Sequence, residues 1–278
     1  MIRHTLALWR LPGMLHRHRF LLRQLAWRAF AARHAGAYLG WLWTPVATAV
    51  QFALYMVVFA AILQIKVEGL GIDVARRPAV GFGVFLITGL VPFVALADVL
   101  QRATRVFRAH ASLVQRVRMP AEVLVLGDAA GTLLHHAISF ALVLAYCGWR
   151  GHLALDGVPW VVAGIALLLL WVVGLALCIS LLGAFLPDIA EVMGLVLQVV
   201  FYAAPIVYPL ALVRAPVVRA VIEANPVTPL LGVLRTGLVG ATPPPAIAVL
   251  ALVIGGGLAF AAGVAALDRW RGSIPDLV

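Results

Sequence analysis

Two adjacent histidines, His135 and His136, are the side chains of this sequence best suited to catalysis or metal binding. Neighbouring residues on a helix point about 100° apart, so the two imidazoles would be poorly placed to share a metal ion. The sequence has no glycine-rich loop ending in Gly-Lys-Ser/Thr, and its single lysine, Lys66, has no such context. We therefore expect no metal, no cofactor and no ATP hydrolysis in this chain.

Three acidic residues within long apolar stretches could relay protons: Asp98, Asp128 and Glu191. Asp98 lies four residues before Arg102, where an ion pair along one helix is the ordinary interpretation. A proton-driven pump would more often hold its acids in the middle of a span. A proton-coupled transporter remains one alternative hypothesis. A membrane-embedded enzyme of lipid or glycan metabolism, using Asp128 or the two histidines, is another.

A basic segment, residues 101–122, lies between two long apolar stretches and contains five arginines but one acid. Each arginine would cost several kcal/mol in hydrocarbon, so the segment must leave the membrane on the side where positive charge collects. Its apolar residues fall on one side at helical spacing; they are Val106, Phe107, Leu113, Val114 and Val117. The pattern predicts an amphipathic helix that contacts a partner in the cytoplasm.

Aromatic residues gather at the beginning of one apolar stretch and at the end of another. Phe52, Tyr55 and Phe59 recur at i, i+3 and i+7 and so form a stripe on one helix face. Interfacial belts and helix packing explain many such residues, but aromatic faces also stack on sugar rings and could line a path for a polysaccharide. The candidate path residues are Tyr38, Trp41, Trp43, Phe52, Tyr55, Phe59, Phe201, Tyr202 and Tyr208.

The composition indicates an all-α integral membrane protein. Of 278 residues, 64% are hydrophobic and 12% are charged, and the mean hydropathy is +1.05, which leaves too little polar surface for a soluble domain. The formal charge of +10 could suit a nucleic-acid-binding protein, but here the arginines alternate with long apolar runs. Six stretches, which we number spans 1–6, have the roughly 20 apolar residues that a spanning helix needs: 39–63, 80–100, 123–147, 158–184, 189–209 and 246–267.

Charge and amphipathicity predict how these spans are arranged. Fourteen of the 21 lysine and arginine residues share one side if both termini are cytoplasmic, as the positive-inside rule favours. Residues 1–35 have an apolar face typical of a helix lying in the membrane interface. Residues 210–245, broken by prolines, form either a long loop or two short helices that re-enter the membrane. We expect one domain, with residues 36–267 in the membrane and 268–278 as a cytoplasmic tail.

Five short motifs follow one another between residues 20 and 240. They are Arg33-His-Ala-Gly-Ala-Tyr-Leu-Gly-Trp-Leu-Trp-Thr-Pro45, Gly89-Leu-Val-Pro92-Phe, Val117-Arg-Met-Pro120-Ala-Glu, Ala204-Pro-Ile-Val-Tyr-Pro209 and Asn225-Pro-Val-Thr-Pro-Leu230, the last followed by Arg235. With these motifs in this order, the chain resembles the permease subunits of ABC-2-type exporters. These exporters move bacterial cell-surface polysaccharides such as O-antigen, capsule and teichoic acid.

The resemblance implies more than the patterns do. Such permeases have six membrane helices with cytoplasmic termini, form homodimers and bind two copies of a separate cytoplasmic ABC ATPase, which carries ATP and Mg²⁺. The basic segment corresponds to their coupling helix, and the stretch between spans 5 and 6 to short re-entrant helices. The ATPase-coupling residues would be Arg105, Phe107, Arg108, Leu113, Arg116, Arg118, Pro120, Pro187 and Asp188. The re-entrant motif would consist of Asn225, Pro226, Pro229 and Arg235.

We therefore hypothesise that the chain is the permease subunit of an ATP-driven exporter of a lipid-linked polysaccharide in the bacterial inner membrane. Its partners would be a second permease, the ATPase, the polysaccharide and membrane lipids, but no nucleic acid. An ABC-2 permease that exports a drug, an ion or a lipid is an alternative hypothesis.

Overall fold

The computed structural model describes residues 12–62, 81–116, 119–153 and 155–277, and only the backbone of residues 59–61. Within these residues every regular element is a helix. Five of the described helices are long and apolar enough to cross a membrane: Gly40–Val58, Phe82–Ala103, Ala121–Trp149, Leu155–Phe185 and Ala246–Trp270. They correspond to spans 1, 2, 3, 4 and 6, so the prediction of an all-α membrane protein is confirmed.

Span 5 is shorter than the predicted stretch 189–209. Its helix covers the 14 residues Ile189–Tyr202, or about 21 Å at the helical rise, whereas the hydrocarbon core is about 30 Å thick. The helix does not continue because Pro205 lacks the N–H group that a helix interior requires. The chain turns at this proline and buries Ala204 and Ile206 completely.

Two short helices, Pro216–Ala224 and Val227–Val239, lie between spans 5 and 6. They meet at Asn225-Pro226 with a bend of 76°, as a broken span or a re-entrant pair does. Gly240, in the left-handed conformation at φ 69°, ends the second helix. Of the two predicted alternatives, the structure therefore shows short helices, which we call the bent pair.

Small residues let span 4 pack closely against span 6 and the bent pair. Gly174 of span 4 touches the backbone of Phe260 in span 6, and Gly164 lies against Leu234 of the bent pair. Such residues allow membrane helices to approach closely where lipid supplies little hydrophobic driving force. Span 1 is more peripheral: Thr44 alone is buried within Trp43–Tyr55, and this helix rests mainly on span 3.

The N-terminal helix, Arg19–Ala32, packs along the first half of span 3. Its buried residues, Leu25, Ala26 and Ala29, rest on Gly127 and Gly131. The amphipathic pattern predicted for residues 1–35 is thus present over the described part of that range. Its buried side contacts span 3, where two glycines four residues apart open a groove for it.

Replacing Gly131 with leucine should push the N-terminal helix away from span 3. A side chain at this position would meet the carbonyl oxygen of Ala26 and the backbone nitrogen of Phe30, and overpacking of this kind typically costs about 1–3 kcal/mol. We expect faster trypsin cleavage after Arg28 in the purified variant. Gly148→Leu, on the same span beside open space, is the matched control, and equal cleavage of the two variants would contradict this packing.

Candidate functional site

Over its described residues, 101–116 and 119–122, the basic segment is divided among four helices, which corrects the prediction of one amphipathic helix. Span 2 continues to Ala103, two short helices follow at Val106–Ala109 and Ala111–Arg116, and span 3 begins after Pro120. Proline is common just before or at the first helical position, where its missing N–H has no consequence. The segment is therefore a compact crossing between the ends of spans 2 and 3.

The apolar side of the basic segment faces its own bundle. Val106 and Phe107 are 3% and 2% exposed and belong to a core that they share with spans 2, 3 and 4. Leu113 and Val114 are half-buried against the same core. Of the predicted coupling residues, Phe107 and Leu113 thus contact the chain's own spans and hold the segment in place.

Arginines of the basic segment bind the connection between spans 4 and 5, by which we mean residues 184–191, from the last turn of span 4 to the first turn of span 5. Arg108 donates a hydrogen bond from Nη2 to the carbonyl oxygen of Ala184 (3.2 Å), and Arg105 Nη2 lies 3.1 Å from Glu191 Oε1. Carbonyls in the last turn of a helix lack partners within the helix and attract positive charge. Both arginines, which the resemblance assigns to ATPase coupling, thus contact the chain's own span 4–span 5 connection, and the side chain of Arg105 stays 61% exposed.

Close backbone contacts fix the basic segment on the same connection. Gln101 donates from Nε2 to the carbonyl oxygen of Ala190 (2.7 Å). Gly183, near the end of span 4, lies so close to the carbonyl group of Thr104 that even a methyl group would overlap with it. The span 4–span 5 connection is therefore the support on which the basic segment rests.

The basic segment and this connection form one continuous surface, which we call the docking surface. Its exposed members include Ser112 and Arg116 on the segment and Pro187 and Asp188 on the connection. Pro187 and Asp188, which the resemblance assigns to ATPase coupling, lie between Ala184 and Glu191, the two residues that the arginines of the basic segment contact. Arg118 lies outside the described residues.

Asp98 and Arg102 do not pair with each other, which corrects the interpretation of their spacing. Arg102 donates to Asp128 of span 3 from two of its three guanidinium nitrogens, from Nη2 to Oδ1 at 2.8 Å and from Nε to Oδ2 at 3.1 Å. Asp98 instead lies 2.6 Å from Arg33 Nη2 and 2.7 Å from His136 Nε2. Asp98 therefore joins span 2 to span 3 and to the end of the N-terminal helix, and Asp128 joins span 3 to span 2.

The last residues of the chain support the basic segment. Arg271 Nη2 lies 2.8 Å from Glu122 Oε1 at the beginning of span 3, where the Glu122 side chain is 3% exposed. Ile274 is 1% exposed, and the short helix Ile274–Leu277 lies beside Ala111–Arg116. Residues of both helices line a cavity of about 530 Å³. The predicted tail 268–278 is thus, over its described residues, a structural part of this end of the bundle.

One face of span 1 carries a polar stripe that the sequence analysis missed. Thr44, Thr48, Gln51 and Tyr55 recur at intervals of four, three and four residues, which places them on one side of a helix. Thr48 Oγ1 lies 2.7 Å from Ser139 Oγ of span 3, and Gln51 donates to the Tyr55 hydroxyl (3.3 Å). The prediction of span 1 used only its apolar residues and therefore overlooked this stripe, although the helical spacing of the four polar residues can be read from the sequence.

A polar cavity of about 300 Å³ opens where this stripe begins. Thr44 Oγ1 lies 2.9 Å from His34 Nε2 and 3.2 Å from His135 Nδ1, and the two ring nitrogens are 3.4 Å apart. Arg33 and His136 line the same cavity. In the part of the chain that the structure describes, no three His, Cys, Asp or Glu side chains are placed to hold a metal ion.

The predicted path aromatics divide into packed and exposed residues. Phe52 packs edge-on against Tyr146 of span 3, with 4.6 Å between ring centroids, and Phe201 packs against Phe93 of span 2 at 5.4 Å. Tyr55 and Tyr208 are half-buried. The side chain of Phe59 lies outside the described residues. The exposed members are Tyr38, Trp41, Trp43 and Tyr202.

Asn225 connects the bent pair to the end of span 5. Its Nδ2 donates to the carbonyl oxygen of Ala203 (2.8 Å), and its Oδ1 accepts from the backbone N–H of Val227 (3.0 Å). An Asn at the start of a helix commonly caps an unpaired N–H in this way. Pro226 follows directly, and Pro229 lies in the first turn of the second helix, where proline leaves the helical hydrogen bonds intact.

Arg235 is the most deeply placed charge of the bent pair, 4% exposed. It donates from Nη1 to Pro205 O (2.7 Å) and from Nη2 to Phe85 O (3.0 Å) and Ile206 O (3.4 Å). Its guanidinium lies 3.6 Å from the centroid of the Phe85 ring, close enough for a cation–π interaction. Gly89 of span 2 leaves the space that the guanidinium fills. Arg235 therefore joins the bent pair, span 2 and the turn after span 5.

Comparison with known proteins identifies the family of this fold. Residues 21–239 match the family described as ABC-2 type transporter. An O-antigen export system permease protein RfbA of Myxococcus xanthus is 25% identical over 228 residues, which cover 80% of this chain and 81% of the relative. A protein of the same name from Klebsiella pneumoniae is 24% identical over 63% of this chain and 64% of its own length.

A polysialic acid transport protein KpsM of Escherichia coli is 21% identical over 62% of this chain and 63% of the relative. The family match extends from the N-terminal helix through the basic segment to Val239, at the end of the bent pair. It thus contains both the docking surface and Arg235. This chain is a membrane protein of the ABC-2 type transporter family.

Proposed function

We propose that the chain is the permease subunit of an ATP-driven exporter that moves a lipid-linked cell-surface polysaccharide across the bacterial inner membrane. The observation that carries this proposal is the match to an O-antigen export permease over 80% of the chain, within a family match to residues 21–239. The polysialic acid transport protein among the relatives supports the same class of cargo.

We infer that the energy comes from a separate ABC ATPase, bound in two copies, which carries the ATP and Mg²⁺. The sequence has no phosphate-binding loop of its own. The docking surface suits a protein partner, because Ser112, Arg116, Pro187 and Asp188 are exposed on a segment whose apolar side is buried. A movement of this surface would be transmitted to spans 2, 4 and 5 together, through the hydrogen bonds of Gln101 with Ala190 and of Arg108 with Ala184.

The proposed orientation places both termini and the docking surface in the cytoplasm. Fourteen of the 21 lysine and arginine residues then lie on the cytoplasmic side, in agreement with the positive-inside rule. The contacts of Arg271 with Glu122 and of Ile274 beside the basic segment support placing the C-terminal residues on the same side as the segment.

The proposed path lies between two copies of the permease. Span 1 exposes large apolar side chains such as Val50 and Leu54, and span 5 exposes Leu195 and Val199. Faces of this kind suit lipid or a second copy of the chain. The exposed aromatics Trp41, Trp43 and Tyr202 would then be available to sugar rings, whereas Phe52 and Phe201 would support them from within.

Deleting the gene from its bacterium tests the proposed cargo. We expect cell-surface polysaccharide to disappear and lipid-linked polymer to accumulate inside the cell, with both effects reversed by the wild-type gene but not by a variant lacking residues 106–116. Unchanged surface polysaccharide, together with altered drug resistance or altered membrane lipid, would overturn the assignment and favour another ABC-2 cargo.

A further inference from the structure

The C-terminal residues connect span 6 to span 3, two helices that otherwise share few contacts. Span 6 packs mainly on span 4, where Gly263 of span 6 lies against Leu177. Residues 271–277 follow the end of span 6 and contact both the beginning of span 3 and the basic segment. These residues lie beyond the family match, which ends at Val239.

Arg271 makes this connection through a buried carboxylate. Its Nη2 lies 2.8 Å from Glu122 Oε1, and the Glu122 side chain is 3% exposed whereas that of Arg271 is 44% exposed. The other carboxylate oxygen, Glu122 Oε2, is buried and has no hydrogen-bond partner within the described residues. Among those residues, Arg271 is the cation paired with this carboxylate. Because an uncompensated buried charge is costly, the pair resists separation.

Apolar contacts hold the same part of the chain on the bundle. Ile274 is 1% exposed and belongs to the core that contains Phe107 of the basic segment. The Trp270 ring packs edge-on against Phe185, at the end of span 4, with 5.1 Å between ring centroids. The end of span 6 and the residues after it therefore contact span 3, span 4 and the basic segment at one level of the bundle.

The cavity beside this connection gives the basic segment room to shift. It has a volume of about 530 Å³, and Val114 of the segment lines it together with Arg271 and Pro275. A close-packed interior resists displacement of its side chains. The cavity instead lets Ala111–Arg116 move relative to the C-terminal residues while Arg271 stays bound to Glu122.

We propose that Arg271 is a positioning residue that transmits movement of the basic segment to span 6. Span 3 begins directly after the basic segment, at Ala121, so a displacement of the docking surface moves Glu122. Arg271, bound to Glu122, then moves the end of span 6 as well. The role of Arg271 rests on the proposed function, because a bound ATPase is the source of the movement.

Cysteine labelling of the purified chain tests the physical link without any ATPase. Ile274→Cys places a thiol where the wild-type side chain is 1% exposed, whereas the native Cys147 and Cys178 lie within spans 3 and 4, out of reach of a water-soluble maleimide. We expect Arg271→Gln to speed labelling of this thiol about tenfold or more, because the released residues expose it. Arg269→Gln removes an exposed arginine from the same helix end and should leave the rate unchanged. Equal rates in the two variants would overturn the link.

The ratio of export to ATP hydrolysis tests the role of this link. The permease is isolated from its own bacterium by a tag at its N-terminus, and hydrolysis by the bound ATPase is compared with surface polysaccharide in the same strain. We expect Arg271→Gln to retain ATPase capture at Ser112 and most of the hydrolysis, but to lower surface polysaccharide about tenfold or more. Arg271→Lys keeps the charge and should restore most of the export, and Arg269→Gln should match the wild type.

A purely structural role of Arg271 predicts a different result. Hydrolysis and export would then fall together in Arg271→Gln, and their ratio would stay constant; this outcome, or normal export in the variant, would overturn the proposed role. If Arg271→Gln does not accumulate in the membrane, Ile274→Ala releases the same residues without leaving a buried charge unpaired. The same loss of export relative to hydrolysis is expected from it, and an unchanged ratio would overturn the role.

Failure of the proposed function is seen in a separate measurement. Deletion of the whole gene would then leave surface polysaccharide unchanged, whatever the labelling rates of the Arg271 variants. A wrong role for Arg271 leaves the effect of the deletion intact and changes only the result for the single variants.

Discussion

Replacing Arg235 with methionine is expected to destabilise the protein more than any other single change that we predict. Methionine fills much of the same space but leaves the carbonyl oxygens of Phe85, Pro205 and Ile206 without their donor. Unsatisfied buried groups cost about 1–3 kcal/mol each, and we expect a total of roughly 3–5 kcal/mol because some carbonyls will find other partners. The bent pair should then detach from span 2, and export should be lost.

Hydrogen–deuterium exchange of Val227–Val239 in the purified protein measures this detachment. The control is Arg219→Met on the first helix of the bent pair, where Arg219 forms an exposed pair with Glu223 at 2.8 Å; such pairs contribute about 0–1 kcal/mol. Arg235→Lys should be nearly as damaging as methionine, because an ammonium cannot bridge three carbonyls and stack on Phe85 at once. Similar exchange in the Arg219 and Arg235 variants would show that the buried guanidinium does not hold the bent pair.

Replacing Gly183 with valine is expected to release the basic segment from the span 4–span 5 connection. The new side chain would overlap with the backbone of Thr104, and a backbone cannot yield as the end of a flexible side chain can. The contacts of Arg108 with Ala184 and of Gln101 with Ala190 should be lost as well. We expect amides of residues 106–116 to exchange at least tenfold faster, which corresponds to about 1.4 kcal/mol.

The matched control for this change is Gly257→Val, which places the same residue in a span beside open space. Both variants should insert into the membrane. Only the Gly183 variant should lose export, because only its basic segment is displaced. If export survives while residues 106–116 exchange rapidly, a fixed basic segment is not needed to transmit the movement of a partner.

The spans could be predicted because they depend on a local property, the length of an apolar run. Spans 2, 3, 4 and 6 lie within a few residues of the predicted stretches. Span 5 was overextended because hydropathy does not register that Pro205 ends a helix. The bent pair could be predicted only as an alternative, since its short helices are fixed by long-range partners such as Phe85 for Arg235.

The contacts of the candidate sites could not be predicted in the same way. The spacing of Asp98 and Arg102 indicates a pair along one helix, but both residues pair instead with side chains from other parts of the chain: Arg33, His136 and Asp128. The burial of Phe107 could not be predicted for a similar reason. An amphipathic pattern does not reveal which side of a helix contacts a partner and which side contacts the chain's own spans.

Site-specific cross-linking at Ser112 tests the central claim most directly. A photo-reactive residue there lies exposed on the docking surface, and the matched position is Val217 of the bent pair, 75% exposed and proposed to lie on the opposite side of the membrane. In membranes of the native bacterium, we expect Ser112 to capture a P-loop ATPase and Val217 to capture none. Capture of that ATPase at Val217 but not at Ser112, or at neither position, would contradict the assignment of this chain as a permease driven through its basic segment.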